Sequence, residues 1–320
     1  MGRENRARQI TERRGGKNNR RLLDFSELSM VARKIKLLVI VGPTASGKTT
    51  LAIQVAKIFN GEVVSADSRA VYKYMNIGTA KPDIEEQDGI IHWGIDLVGP
   101  NETFTASDYK KYACQKIREI ASKNRLPILV GGSGLYIDSI IYDYSFAPPN
   151  KTVRSKMQSQ SIGQLNEIIK KRQLELPNNY KNKRYLIRTI EVGNRRVSKN
   201  ERLLPGTVMV GLWPNKEVLK GRINRRLKDM ISKGLLPEIK KCSELYGWDS
   251  IAMNGGVYKS FRGYIKGGET LESAINSSIK SDTALAKKQL TWFKRNKNII
   301  WFESVELAMN WLVTEHKGTI

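Results

Sequence analysis

Lys48 and Thr49 close an eight-residue run, Gly42-Pro43-Thr44-Ala45-Ser46-Gly47-Lys48-Thr49, that fits G-x-x-x-x-G-K-[ST]. The chemistry of that pattern is phosphate capture. Glycines let the backbone come close, and successive backbone N–H groups aim at phosphate oxygens at a helix N-terminus. The lysine adds a point charge, and the Thr49 hydroxyl is placed to hold Mg²⁺. The pattern is credible only between a strand and a helix. Both are expected here: residues 37–41 are an unbroken apolar run, and residues 50–57 read as a helix. The run does not say which phosphate it takes. The γ-phosphoryl of ATP and a diphosphate leaving group look alike to a nest of N–H donors.

Asp67 is the second group that could do chemistry. It follows a short strand-like run, residues 61–66, in the crevice where α/β sheets bind ligands. A carboxylate there can act as a general base; it can equally cap a helix or serve as an outer acid for Mg²⁺. Ser133 follows Gly131-Gly132, so its hydroxyl can approach a substrate closely, or cap the helix that begins there. Arg222 and Arg226 stand at i and i+4 and share a helix face. Two guanidiniums on one face suit a diphosphate; a solvated basic helix has the same spacing. Residues 126–130 run into Gly131-Gly132 with no acid, so a Walker-B-like Asp is missing there.

Composition sets the frame. The chain has 320 residues, 40% hydrophobic, which is enough for a packed core. Its formal net charge of +24 calls for a polyanionic partner, nucleic acid first. Cys114 and Cys242 form no C-x-x-C pair, which fits a reduced, cytoplasmic compartment. With only His92 and His316, a His-rich metal site or a Ser-His-Asp triad has little to draw on. No apolar run approaches the roughly 20 residues of a membrane span. Residues 1–34 are basic and polar, without the apolar stretch of a secretory signal. They are expected to be a disordered tail, an electrostatic arm for RNA, or untranslated sequence ahead of a start at Met30.

Strand and helix patterns alternate from residue 35 onward, which predicts an α/β fold with a parallel sheet. Between Pro148-Pro149 and Pro205-Gly206 the pattern changes to basic helical runs at 153–160, 162–174 and 181–192. The expected organisation is a P-loop NTPase-like core over 35–145 and 207–320, with a helical insertion over 146–206. In the second half of the core, strands are expected at 207–213 and 298–302, and helices at 216–246, 271–295 and 305–313.

The ordered set of motifs resembles the tRNA dimethylallyltransferase (tRNA isopentenyltransferase) family. The phosphate loop is followed by Asp67-Ser68-Arg69-Ala70-Val71-Tyr72 and Asn76-Ile77-Gly78-Thr79-Ala80-Lys81-Pro82. Further stretches are similar to the family: Ile91-His92-Trp93-Gly94-Ile95-Asp96, Val130-Gly131-Gly132-Ser133-Gly134-Leu135-Tyr136, Ile187-Arg188-Thr189-Ile190-Glu191-Val192, Arg222-Ile223-Asn224-Arg225-Arg226, and Ala286-Lys287-Lys288-Gln289-Leu290-Thr291-Trp292-Phe293. The likeness covers nearly the whole chain after the tail. The chain departs from the family pattern at Trp93 and Gly94, at Ala70 where Gln is usual, at Val257 in place of a glycine, and at Tyr185 where Arg is common.

The resemblance implies alkylation of an adenine amine by dimethylallyl diphosphate. Asp67 would be the base, and Lys48, Ser133 and Arg222 would complete the catalytic set. The diphosphate would sit on residues 42–49 and Arg222, with Mg²⁺ on Thr49. The anticodon stem-loop of tRNA would meet Asp67, Ser68, Arg69, Ala70, Ser133, Arg154, Arg184, Arg188, Tyr258 and Lys259, with the insertion gripping the RNA. The expected enzyme is a monomer. Three other readings remain at this point: a P-loop kinase of small molecules such as nucleosides, a prenyltransferase of free adenylate, and a non-catalytic RNA-binding protein.

Overall fold

A computed structural model of the chain describes residues 35–195 and 198–316. The expected basic tail, 1–34, lies outside the described residues. The described residues fall in one compact unit.

The unit is built on β1 (Leu37–Val41), buried at every position. Leu37, Val39 and Val41 enter one hydrophobic cluster, and Leu38 and Ile40 enter another on the opposite face. A strand covered on both faces must be apolar without alternation, and residues 37–41 are. In chain order there follow α1 (Lys48–Ile58), β2 (Gly61–Ser65), α2 (Ile84–Gln87), β3 (His92–Trp93), α3 (Ala106–Ser122), β4 (Leu126–Gly131) and α4 (Gly134–Ile141). Three helices come next: α5 (Lys151–Gln158), α6 (Ile162–Lys171) and α7 (Lys183–Val192). The chain returns through β5 (Thr207–Leu212), α8 (Lys216–Ser232), α9 (Leu235–Tyr246), α10 (Gly256–Ser260), α11 (Arg262–Ile265), α12 (Leu271–Phe293), β6 (Ile299–Phe302) and α13 (Val305–His316).

The sheet order is β3-β2-β4-β1-β5-β6, with every pair parallel. This is the expected P-loop NTPase-like fold. The chain runs from β1 toward one edge and later toward the other, so the crevice at the carboxyl end of β1 is the switch point where such sheets bind ligands. The stretch expected as one helix over 216–246 is two helices. Gly234 breaks it with φ of 99°, a left-handed conformation that glycine adopts without strain.

Helices α5, α6 and α7 share a small core of Leu165, Ile169, Leu186, Ile187 and Ile190. Each starts on a capped turn: Asn150 accepts from Val153 N, Ser161 forms a capping box with Gln164, and Asn182 accepts from Arg184 N. The segments leading into and out of them run side by side, where Ser145 N donates to Ser198 O at 2.8 Å. Glu191 ties the entry to α7. Its carboxylate accepts from Asn150 N at 2.7 Å and pairs with Arg154 at 2.9 Å and Arg188 at 2.7 Å. Among the described residues no helix is long and apolar enough to cross a membrane.

Candidate active site

A cleft of about 1300 Å³ opens at the carboxyl ends of β1, β2 and β4. Its floor is the loop between β1 and α1. Gly47 is the residue before α1 and takes φ of 96°, and Ala45 takes φ of 60°. These conformations turn the backbone so that Gly47, Lys48 and Thr49 present amides at the open N-terminus of α1, where a helix has no acceptors of its own. Ala45 packs on Leu219 and Ile223 of α8 and Ala286 of α12, so the loop is braced from below. Lys48 Nζ donates to Pro43 O at 2.6 Å. Burial lowers its pKa to about 8; the nearby Asp67 carboxylate raises it in part, and Arg226 lowers it further. An anion on the loop would reverse that depression.

Asp67 lies on the wall of the same cleft, and its charge reaches Lys48. Its Oδ1 accepts from Arg69 N at 2.7 Å, an Asx turn rather than a helix cap. Among the described residues no donor is paired with its Oδ2. The turn after β4 supports this wall. Gly131 lies so close that a Cβ there would come within 2.2 Å of Ala66 O. Ser133 stands at the cap position of α4 but does not cap it. Its Oγ accepts from Ser68 N at 3.0 Å and donates to Ser68 Oγ at 3.1 Å, which fixes the segment that follows Asp67.

Gln289 of α12 joins the two loops. Its Oε1 accepts from Thr44 N at 2.8 Å and its Nε2 donates to Gly132 O at 3.1 Å. Sequence reasoning placed this residue in a motif and gave it no role. The motif was the signal; a contact across 245 residues had none.

The family model for IPP transferase matches residues 70–296. The chain is 38% identical over 288 residues to a tRNA dimethylallyltransferase of Acetivibrio thermocellus, an alignment covering 84% of this chain and 92% of the relative. It belongs to the IPP transferase family. A tRNA dimethylallyltransferase of a Thermoanaerobacter species is 41% identical over 291 residues, with 84% and 91% covered. The crystal structure of a tRNA isopentenylpyrophosphate transferase from Bacillus halodurans aligns with a TM-score of 0.67 at 34% identity, covering 89% of this chain and 98% of that one.

Within this IPP transferase, the two arginines of α8 part company. Arg226 lines the cleft and is held by Asp282 at 2.6 Å, whereas Arg222 is exposed and donates to Ser46 O at 3.2 Å. Arg222 thus stands beside the phosphate loop, its Nη1 3.8 Å from where a Cβ on Gly47 would be, while Arg226 lines the cleft itself. Arg154 and Arg188 are both paired within the protein while their side chains stay 45% and 34% exposed. Both point at Glu191, and Arg188 also donates to Ala147 O at 2.7 Å. Burial pushes the Glu191 carboxyl up, but Arg188, the Asn150 N–H and Arg154 together bring it below its ordinary value. Arg184 is exposed, and its charge reaches the Tyr72 phenol.

Arg69 spends one nitrogen on Ala252 O and lies over the Tyr72 ring at 5.6 Å. Ser68 and Ala70 line the cleft, and Ala70 is buried. Lys259 is exposed. Tyr258 lines the cleft and also supports it. It is 1% exposed, and its hydroxyl donates to Glu238 at 2.6 Å. Glu238 also accepts the amides of Asn76 and Ile77 at 2.8 Å and of Gly78 at 2.9 Å, so it holds the loop that forms one lip of the cleft. Nothing in the sequence marked Glu238. His92 was another residue without a role. Its Nδ1 pairs with Ile90 O at 2.9 Å, leaving Nε2 as a buried acceptor without a protein partner in the cleft wall.

Among the described residues no group of three His, Cys, Asp or Glu could hold a metal alone. The donors present, Thr49 and the acid Asp67 of the same cleft, fit an ion that arrives with phosphate oxygens and keeps water ligands, which is the habit of Mg²⁺.

Proposed function

We propose that this chain transfers a dimethylallyl group from dimethylallyl diphosphate to the exocyclic N6 amine of the adenine adjacent to the anticodon in tRNA, releasing diphosphate. The observation that carries the reading is that Lys48 and the N-terminus of α1 share one cleft with Asp67, whose charge reaches Lys48, in a member of the IPP transferase family. The adenine amine is a poor nucleophile, because its lone pair is shared with the ring. As its nitrogen bonds to the allylic carbon, the carbon–oxygen bond to diphosphate breaks. The amine proton passes to the free oxygen of Asp67. The charge gathering on the departing diphosphate falls on Lys48 and the amides of Gly47, Lys48 and Thr49. Mg²⁺ held at Thr49 would neutralise more of that charge. Ser133 and Ser68 keep Asp67 in place, and Arg226 flanks the diphosphate.

The base must leave its stack to enter the cleft, and unpaired loop bases are where proteins read RNA sequence. The anticodon stem-loop would lie across the cleft mouth, with the helices over 151–192 beside it. The net charge of +24 supports this partner. The enzyme is proposed to act as a monomer in the cytoplasm, where tRNA is modified.

Incubation of the protein with tRNA and either labelled dimethylallyl diphosphate or labelled ATP tests the reading. Label should enter tRNA from the first only, and nucleoside mass spectrometry should find it on adenine N6. Transfer of the γ-phosphoryl of ATP to a nucleoside would establish the kinase instead. Prenylation of free adenylate without tRNA would establish the adenylate prenyltransferase.

A further inference from the structure

The phosphate loop is not open along its length. The Thr44 amide is taken by the Gln289 side-chain oxygen at 2.8 Å, and the Ser46 amide by Pro43 O at 3.3 Å. Gly47, the residue before α1, and Lys48 and Thr49, which begin it, line the cleft with amides that have no helix acceptor. Gln289 cannot easily swing away. It is half-buried, its Nε2 is held by Gly132 O at 3.1 Å, and it packs so near Gly132 that a Cβ there would come within 2.2 Å of it. Its amide oxygen carries partial negative charge at the Thr44 end of the loop. A chain of three phosphates lying along the loop would need that end as well as the α1 end.

We propose that Gln289 is a specificity-determining residue that confines the loop to diphosphates and turns away triphosphates. The inference rests on the diphosphate reading of the loop given above. It explains how a loop pattern shared with ATP-using proteins can serve a substrate with two phosphates: the donor a third phosphate would use is already satisfied inside the protein. A carbonyl oxygen at that place also repels a phosphate oxygen, so the exclusion has a steric and an electrostatic part.

The test measures dissociation constants of inorganic diphosphate and inorganic triphosphate, each with magnesium, for the wild-type chain and for Gln289→Ala. The expected result is a wild-type preference for diphosphate. In the variant, the affinity for triphosphate relative to diphosphate should rise about tenfold, the scale of one charge-assisted hydrogen bond regained at Thr44 N. Gln289→Ser, small and polar, carries the same expectation should the alanine variant not fold. A merely structural role would weaken both anions together and leave their ratio alone. An unchanged ratio in a folded variant, or a wild-type preference for triphosphate, overturns the inference. A wild-type chain that binds neither anion removes the diphosphate reading itself.

Discussion

With Lys48 in its proposed place on the diphosphate, binding of dimethylallyl diphosphate should depend on pH in a way that can be worked out in advance. Burial lowers its pKa from 10.5 to about 8 in the free protein. An organic diphosphate has its last ionisation near that of a phosphate monoester, roughly 6, so it is fully charged from about pH 7.5 upward. Bound beside Lys48, it favours the ammonium form and raises the pKa. Above pH 8, binding must therefore take up a proton. At pH 7 about nine in ten Lys48 side chains are already charged, and at pH 9 only about one in ten. Affinity should be nearly flat between pH 7 and 7.5 and then fall, approaching about tenfold per pH unit above pH 8, until the pKa of the complex is reached. Calorimetry without tRNA, in two buffers of different ionisation heat, reads the proton directly: roughly 0.1 proton taken up at pH 7 and roughly 0.9 at pH 9. The neighbours give the sign of two controls. Asp67→Asn removes a charge that raises the Lys48 pKa, so the fall should begin at lower pH; Arg226→Leu removes one that lowers it, so the fall should begin at higher pH. An affinity constant from pH 7 to 9.5 with no proton uptake would refute the placement of Lys48 on the diphosphate. In the free protein the same depressed pKa means that the unfolded chain binds more protons between pH 8 and 10.5, so this residue makes stability rise with pH across that window.

Asp67→Asn keeps the bond from Arg69 N and loses the base, so kcat in single-turnover prenylation should fall ~10²–10⁴-fold with both substrate affinities nearly unchanged; a wild-type rate, or full rescue by added magnesium, removes Asp67 from that role. Glu191→Ala leaves Arg154, Arg188 and the Asn150 N–H without their acceptor, and since water reaches both guanidiniums the cost should be about 1–3 kcal/mol rather than that of a fully buried pair. Hydrogen exchange should then quicken across residues 151–192 more than in the sheet, and uniform exchange would refute the anchoring role. The logarithm of tRNA affinity should fall steeply with the logarithm of salt concentration; Arg184→Ala should lower that slope by roughly one, and Arg154→Ala should leave it nearly alone because Arg154 is already paired.

The sheet was legible because its strands are covered on both faces: residues 37–41 and 126–130 had to be apolar without alternation, and no helix of that length could be confused with them. The phosphate loop was legible because its donors are local and backbone-borne. Supports that cross the chain were not. Gln289 reaches Thr44, Glu238 reaches the amides of residues 76–78, and nothing in the sequence near either residue reports the contact. The two-residue strand β3 and the short helices α2, α10 and α11 carry too few residues for a period to emerge. Arg154 and Arg188 were read from their charge, but Glu191, the acid that claims them, was read only as part of a motif.

The spacing of Arg222 and Arg226 shows where periodicity stops being informative. Two residues at i and i+4 share a face, yet they stand about 6 Å apart along the helix. That step leaves Arg222 beside Ser46 and Gly47, on Ser46 O, and Arg226 in the cleft, on Asp282. Beside the phosphate loop the cleft thus sets the cations Lys48 and Arg226 near the acids Asp67 and Asp282. Buried cations are costly without partners, and the acids meet part of that cost in the free protein. In the proposed reaction an arriving diphosphate would compete with Asp282 for Arg226 and with Pro43 O for Lys48, so the site would exchange partners without first having to assemble charge. The negative charge on the diphosphate grows as the carbon–oxygen bond breaks. Cations already placed and desolvated favour that moment over the bound ground state, which is where stabilisation raises kcat.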